Sequence, residues 1–215
     1  MSMDLFLKKF FDASYNSEIF LPQQPGTHYE YSNIGMSLLG YIIEIITDES
    51  LKDYTQQHIL TPLKMESSTW NKKSINKEFQ PIYYLENKKP CPEYSFITYP
   101  DGGLYSSVND LTLLLQEVMK GYKGEGKLLS KEAYQIMLAP AFQNEDLPYG
   151  ICWDLEQSCC IGHGGNDFGT ATMMYLHKES GIGRIFFTNI STETEELGDT
   201  FGEIFNLLFQ YNFEG

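Results

Sequence analysis

The residues best suited to chemistry lie in two short segments, Tyr31-Ser32-Asn33 and, 130 positions later, His163-Gly164-Gly165. A phenol and an imidazole can both relay protons, and an asparagine amide can donate and accept hydrogen bonds. Paired glycines on a strand remove the side chains that would block a substrate lying along it. Together the two segments suit acid–base work on a bound substrate.

Each of these residues also has a structural interpretation. Tyr31 could be a buried tyrosine with a satisfied hydroxyl, and a lone histidine such as His163 is more often structural. Asn33 could be the N-cap of a helix that starts at Ile34, a role compatible with substrate binding. The choice depends on the elements that position these residues.

Helical patterns dominate the first 140 residues. The predicted helices are Asp4 to Phe11, Ile34 to Ile46, Ser50 to about Pro62, Asn109 to Met119 and Ser130 to Ala139. Apolar residues cover nearly all faces between Ile34 and Ile46, which predicts a helix buried inside a helical lobe. Ser107 is the expected N-cap of the fourth helix, and Asn71 to Glu93 is expected to be an extended loop.

After residue 140 the pattern changes to the period of strands. The predicted strands are Tyr149 to Leu155, Cys159 to His163, Thr170 to His177 and Arg184 to Asn189. A final apolar stripe predicts an amphipathic helix on one face of the sheet; it consists of Leu197, Phe201, Ile204, Phe205 and Leu208. We therefore predict an α+β fold, with a mainly helical lobe over 1–140 and an antiparallel sheet with a C-terminal helix over 141–215.

Composition excludes several classes of function. A chain of 215 residues can bury one substantial core. Its net charge is −14 and its only arginine is Arg184, so a nucleic-acid partner is not expected. No apolar run approaches the ~20 residues of a membrane-spanning helix, and the first residues lack the features of a signal peptide. The compartment stays undetermined.

The cysteines and histidines do not show the spacing of a metal site. The four cysteines are Cys91, Cys152, Cys159 and Cys160, and the four histidines are His28, His58, His163 and His177. Neither set matches a zinc pattern or a disulfide framework. Adjacent cysteines in a strand point to opposite faces, so we expect Cys159 and Cys160 not to pair. No metal or cofactor is expected.

In their order and surroundings, the two segments resemble the second and third active-site motifs of the serine β-lactamase and penicillin-binding-protein superfamily. The closest resemblance is to the class C-related branch, in which histidine replaces the lysine of the Lys-Thr-Gly strand. It extends from about Phe20 onward and includes Asp101-Gly102-Gly103-Leu104-Tyr105-Ser106. It implies a transpeptidase-like fold with the active site between the helical lobe and the edge strand of the sheet.

The resemblance also implies roles for six residues. Tyr31 matches the phenol that relays a proton between the serine nucleophile, its lysine and the leaving group. Asn33 matches the amide that holds the acyl side chain of the substrate, and His163 matches the strand residue that supports the proton relay. The implied substrate-binding positions are Gly164, Gly165 and Asn166, the last through a backbone N–H in the oxyanion hole.

The first motif of the superfamily, Ser-x-x-Lys on a buried helix, is missing upstream of Tyr31. Ser74-Ile75-Asn76-Lys77 fits the letters, but it follows Tyr31 and has polar neighbours where a buried helix needs apolar ones. We therefore expect the C-terminal portion of a serine hydrolase, N-terminally truncated, without the N-terminal strands and the nucleophile helix. The parent reaction would be acyl-enzyme hydrolysis of an amide, ester or β-lactam in a small-molecule or peptide-like substrate.

Two other functions fit the same residues. The chain could be a binding module that holds a peptide-like or carboxylate ligand without turnover. It could also be an assembly module, because removal of strands leaves an unpaired sheet edge whose backbone N–H and carbonyl groups can bond to another chain. The second alternative predicts a homo-oligomer.

Overall fold

The protein is built from helices followed by an antiparallel sheet and a last helix, an α+β fold. The computed structural model describes residues 1–12, 17–76, 83–84, 87, 89–141, 149–155, 159–192 and 194–210. The α-helices in these ranges are α1 (Met3–Phe10), α2 (Asn33–Thr47), α3 (Leu51–Thr55), α4 (Val108–Tyr122), α5 (Lys131–Met137) and α6 (Glu195–Gln210). The strands are β1 (Cys160–Asp167), β2 (Thr170–His177) and β3 (Gly183–Thr188), in the sheet order β1-β2-β3.

The predicted helices are present, with ends shifted by a few residues. Serine side chains cap most of them: Ser107 accepts a hydrogen bond from the Asp110 N–H, and Ser130 caps α5 in the same way. α3 continues as a π-helical turn over Gln56–Leu60. Within the predicted loop 71–93, Lys72–Ser74 forms a 3-10 turn, and positions 77–82, 85, 86 and 88 lie outside the described residues.

The predicted first strand, 149–155, is wrong. This segment makes only isolated bridges, Tyr149 to Asp154 and Asp154 to Gly162. Cys152 has a φ of +63°, in the left-handed region, which an extended strand cannot contain. Of the other predictions, Thr170–His177 matches β2 and Arg184–Asn189 is shifted by one residue in β3. The strand predicted to end at His163 continues to Asp167.

α2 is not buried as its apolar sequence predicts. Only Ser37 and Gly40 are buried in this helix, whereas Ile45 and Ile46 expose 62% and 77% of their surface. A Cβ at Gly40 would lie 2.7 Å from the Pro100 ring, so small residues mark the packed face. The neighbours of α2 among the described elements are α1, α3 and the 3-10 turn Tyr99–Asp101. Four large apolar residues lie on the exposed side, namely Leu39, Ile42, Ile45 and Ile46.

Two apolar clusters hold the sheet between α4 and α6. One face contributes Ile161 and Leu176 to a cluster with Leu115 and Val118 of α4. On the other face, Cys160, Met173 and Tyr175 pack against aromatic residues of α6, namely Phe201, Phe205 and Phe209. The last helix thus lies on one face of the sheet, as its apolar stripe predicts.

The only arginine ties α6 to the sheet. Arg184 of β3 is 8% exposed, and its Nε donates a hydrogen bond to the Leu208 carbonyl near the C-terminal end of α6. Its guanidinium lies 4.6 Å from the centre of the Phe209 ring. A cation at this end of a helix complements the carbonyl dipoles. The chain therefore uses its one arginine inside the fold.

The expectation that Cys159 and Cys160 point apart is wrong. Their Sγ atoms lie 2.9 Å from each other, and Cys159 packs against the buried cluster of Cys160, Met173 and Tyr175. Cys159 precedes the first residue of β1, so the strict alternation of a strand does not apply to it.

Candidate active site

Tyr31 and His163 lie together although 131 residues separate them in sequence. Their ring centroids are 6.2 Å apart. His163 shares a face of β1 with Ile161, which packs toward α4, so its imidazole is directed to the helical part of the protein. Tyr31 immediately precedes Ser32, the N-cap of α2, which accepts a hydrogen bond from the Gly35 N–H at 3.0 Å. The cap determines how the chain enters α2 beside the sheet.

Asn33 is not the N-cap, because Ser32 has that role. Asn33 is the first residue of α2 and is exposed. Its amide is thus not used by the helix terminus. The prediction that Asn33 is the N-cap of this helix is therefore wrong.

The six predicted site residues line a single cleft between the helical part and the sheet edge. They are Tyr31, Asn33, His163, Gly164, Gly165 and Asn166. The cleft has a volume of about 3060 Å³, whereas pockets for small ligands usually measure roughly 300–1,000 Å³. The volume of this cleft is therefore larger than that of a usual small-ligand pocket.

The free edge of β1 faces this cleft with its backbone. The N–H and carbonyl of Gly162 both bond to Asp154, on the side away from β2. In an antiparallel strand the bonding direction alternates, so Gly164 and Asn166 direct their N–H groups to the same outer side. The Asn166 N–H therefore points to the outer side of β1, away from β2.

The side chain of Asn166 anchors the strand from its other face. Its Oδ1 accepts hydrogen bonds from the N–H and the hydroxyl of Thr192, at 3.2 and 3.1 Å. Side chains at the two preceding positions are absent, since both are glycine. A Cβ at Gly164 would make an ordinary van der Waals contact, 3.7 Å from the Thr172 carbonyl oxygen, and a Cβ at Gly165 would lie 3.0 Å from the Thr172 hydroxyl.

The electrostatic surroundings keep the Tyr31 phenol protonated. Burial raises its pKa, and the nearby charges of Asp154 and Asp101 and the thiol of Cys152 raise it further. Among the residues that the structure describes, no lysine is one of the groups that act on this phenol. A cation within about 4–6 Å would act in the opposite direction and favour the phenolate.

Sequence reasoning missed the two carboxylates beside Tyr31. Asp154 accepts a hydrogen bond from the Tyr175 hydroxyl at 2.8 Å, and Asp101 accepts one from Ser37 at 3.2 Å. Burial, the largest effect, raises the pKa of Asp101. Asp101 is part of the stretch Asp101-Gly102-Gly103, which contributes to the family resemblance. This was the one feature of the sequence that could have indicated Asp101. Nothing in the sequence around Asp154 singled it out.

Ser74 does not have the setting of a nucleophile. It ends the short 3-10 turn Lys72–Ser74 rather than beginning a long helix. Its hydroxyl donates to the Asn71 carbonyl at 2.6 Å and lies 2.9 Å from the Thr69 hydroxyl. Ser74 lines the wide cleft, but Lys77 lies outside the described residues.

The described residues provide neither a metal centre nor a membrane-spanning helix. They contain no group of three or more His, Cys, Asp and Glu side chains arranged to hold a metal ion. None of their helices combines the length and apolar character needed to cross a bilayer.

Comparison with known proteins identifies the family. The Beta-lactamase family model matches residues 13–208. The chain belongs to this family. Protein flp of Staphylococcus aureus is 30% identical over 178 residues, which cover 80% of this chain and 36% of the relative. The penicillin-binding protein PbpX of Bacillus subtilis, whose assignment is putative, is 27% identical over 196 residues, 88% of this chain and 47% of the relative.

Solved structures share the fold of this Beta-lactamase family member. An octameric penicillin-binding protein homologue from Pyrococcus abyssi superposes with a TM-score of 0.73 at 23% identity, over 97% of this chain and 48% of that one. The D-alanine carboxypeptidase AmpC from Burkholderia cenocepacia gives 0.74 at 17% identity, over 95% of this chain and 66% of the other. The fold is thus β-lactamase/transpeptidase-like. The chain spans less than half the length of the two curated relatives named above.

Proposed function

We propose that this chain carries the acid–base and substrate-holding half of a serine β-lactamase-like acyl-transfer site. The observation that supports the proposal most is the convergence of the Tyr31 and His163 rings across one cleft. The sequence offers no Ser-x-x-Lys besides the one at Ser74. In this proposal the nucleophile is supplied by a segment other than these 215 residues.

The proposed reaction is hydrolysis through an acyl-enzyme. The serine oxygen attacks the carbonyl carbon of an amide, ester or β-lactam, and Tyr31 passes the serine proton to the departing group. The Asn166 N–H stabilises the oxyanion, and His163 supports the relay from β1. Water then attacks the acyl-enzyme and returns the proton to the serine. Asn33 holds the acyl side chain through its amide.

The size of the cleft is compatible with the proposal that a helix from another segment carries the nucleophile. A ten-residue helix about 15 Å long and about 10 Å wide displaces roughly 1,200 Å³. The total cleft volume of about 3060 Å³ exceeds this, with a lining that also extends to Phe201 and Phe205 of α6 on the other face of the sheet. The raised pKa of Tyr31 agrees with this, because a lysine on that helix would supply the cation that the phenol lacks.

Relatives suggest a class of substrate. Their names include a putative D-alanyl-D-alanine carboxypeptidase of Escherichia coli and an N-acetylmuramyl-L-alanine amidase of Bacillus subtilis. Both names denote hydrolysis of amide bonds. We therefore propose a peptide-like amide as the first substrate class to test.

The chain by itself is expected to form no acyl-enzyme. Incubation with a fluorescent penicillin or a fluorophosphonate, followed by intact-mass measurement, should leave its mass unchanged, because the serine and lysine of the first motif are missing. Ser74→Ala is the matched control. A stoichiometric adduct that this substitution abolishes would assign the nucleophile to Ser74 and contradict the proposal.

A second candidate function is assembly with another copy of the chain. Within the described ranges β3 has no strand neighbour on its outer side, and α2 exposes Leu39, Ile42, Ile45 and Ile46. An unpaired edge and an exposed apolar face both favour association. Light scattering at micromolar concentration should then give a mass above that of one chain. A monomer at all concentrations would count against this function.

A further inference from the structure

Cys159 and Cys160 form a close thiol pair at the start of β1. Their Sγ atoms lie 2.9 Å apart, and an ordinary disulfide bond measures about 2.05 Å. Cys160 is 2% exposed, whereas Cys159 is only partly buried. Cys159 packs against the cluster that contains Cys160, Met173 and Tyr175 on the α6 face of the sheet, so the two sulfurs lie on the same side of the chain.

We propose that Cys159 and Cys160 are a redox modification site that forms a reversible disulfide between neighbouring residues. The reagent class is a small-molecule disulfide such as oxidised glutathione. Cys159 is the entry point, because it is the more accessible of the two thiols. This site is separate from the proposed acyl-transfer chemistry and does not depend on it.

The exchange proceeds in two displacements. The Cys159 thiolate attacks one sulfur of the small disulfide, and the first small thiol leaves with the proton that Cys159 lost. The Cys160 thiolate then attacks the Cys159 sulfur of the mixed disulfide, and the second small thiol leaves with the proton from Cys160. The two protein thiols are oxidised by two electrons, and the small disulfide is reduced to two thiols.

The product is expected to be easily reduced again. Adjacent Cα atoms are about 3.8 Å apart, shorter than the ~4.4–6.8 Å that disulfides usually span. A strained bridge is more readily reduced than an ordinary structural one. Excess reduced glutathione should therefore reopen it.

The double variant Cys91→Ser with Cys152→Ser isolates the pair. After treatment with oxidised glutathione and removal of the reagent, intact mass without reductant should show a monomer lighter by about 2 Da, and reduced glutathione should restore the mass. The matched control adds Cys159→Ser, which leaves Cys160 alone and cannot lose the two hydrogen atoms. A lasting glutathione adduct, a linked dimer or an unchanged mass in the double variant would overturn the proposal.

The natural chain provides a second measurement that needs no substitution. Free thiols are blocked with iodoacetamide after oxidation, the protein is then reduced, and the newly exposed thiols receive a second, isotopically distinct label. The proposal expects the second label on Cys159 and Cys160 and the first label on Cys91 and Cys152. Second labelling of Cys152 in place of Cys160 would show a different pairing and refute it.

Discussion

Replacing Tyr31 with phenylalanine is expected to slow acylation by roughly 10²–10⁴-fold in a protein that joins this chain to a segment with the Ser-x-x-Lys helix. The phenol lies in the cleft beside His163, with ring centroids 6.2 Å apart. Phenylalanine keeps the ring and its contacts but cannot carry a proton. The rate of acyl-enzyme formation with a fluorescent penicillin, measured by stopped flow, tests the prediction.

Tyr29→Phe is the matched control for this substitution. Tyr29 is two residues away and stacks on Tyr149 at 4.2 Å, with the rings nearly parallel. Phenylalanine can keep that stack, so acylation should change by no more than a few-fold. Equal losses in both variants would mean that the tyrosines act through packing, and the proton relay through Tyr31 would be rejected.

Replacing Glu117 with alanine is expected to cost roughly 1–3 kcal/mol of unfolding free energy. This carboxylate of α4 is 3% exposed. It accepts hydrogen bonds from the Lys127 and Leu128 N–H groups and from the Tyr134 hydroxyl. Alanine would leave the buried Tyr134 hydroxyl without its partner, at roughly 1–3 kcal/mol for a buried group that stays unsatisfied, whereas the partly buried Lys127 and Leu128 N–H groups can turn to water. Urea unfolding at neutral pH measures the loss.

The stability that Glu117 contributes should depend on pH in a defined direction. Burial raises its pKa, but the hydrogen bonds from Leu128, Lys127 and Tyr134 together outweigh burial, so the net pKa lies below the ordinary 4.5. A lowered folded-state pKa gives stability that is fully present above about 4.5 and is lost as the pH falls through the folded value. Glu117→Gln should reduce this acid loss, whereas Glu203→Gln, on the exposed face of α6, should leave it unchanged. An identical acid profile in the Glu117→Gln variant would disprove the assignment.

Local chemistry made much of the secondary structure predictable. Ser107 caps α4 through a hydrogen bond to an N–H three residues away, so its effect is present in the sequence itself. The apolar run of Thr170–His177 matches β2 because every second residue is buried on one face and its neighbours are covered on the other. Both depend on residues that are close in sequence.

The errors came from contacts between distant residues. The sequence predicts a buried α2 because its own apolar residues cover nearly all of its faces. The close approach of Pro100 to Gly40 decides which of these faces packs against the rest of the protein. The strand predicted over 149–155 fails at Cys152, whose backbone is left-handed. The proximity of the Cys159 and Cys160 sulfurs depends on the chain just before β1, where the alternation of a strand has not begun.

The sequence by itself determined the residue types of the candidate site and their order along the chain. Only the tertiary structure decided that Tyr31 and His163 face each other, that the Asn166 N–H lies on the free edge, and that Asp154 adds its charge to the Tyr31 surroundings. The physical reason is that proton relays and electrostatic effects act over a few ångströms in space. The spacing of residues in sequence predicts such short distances only inside one helical turn or along one strand.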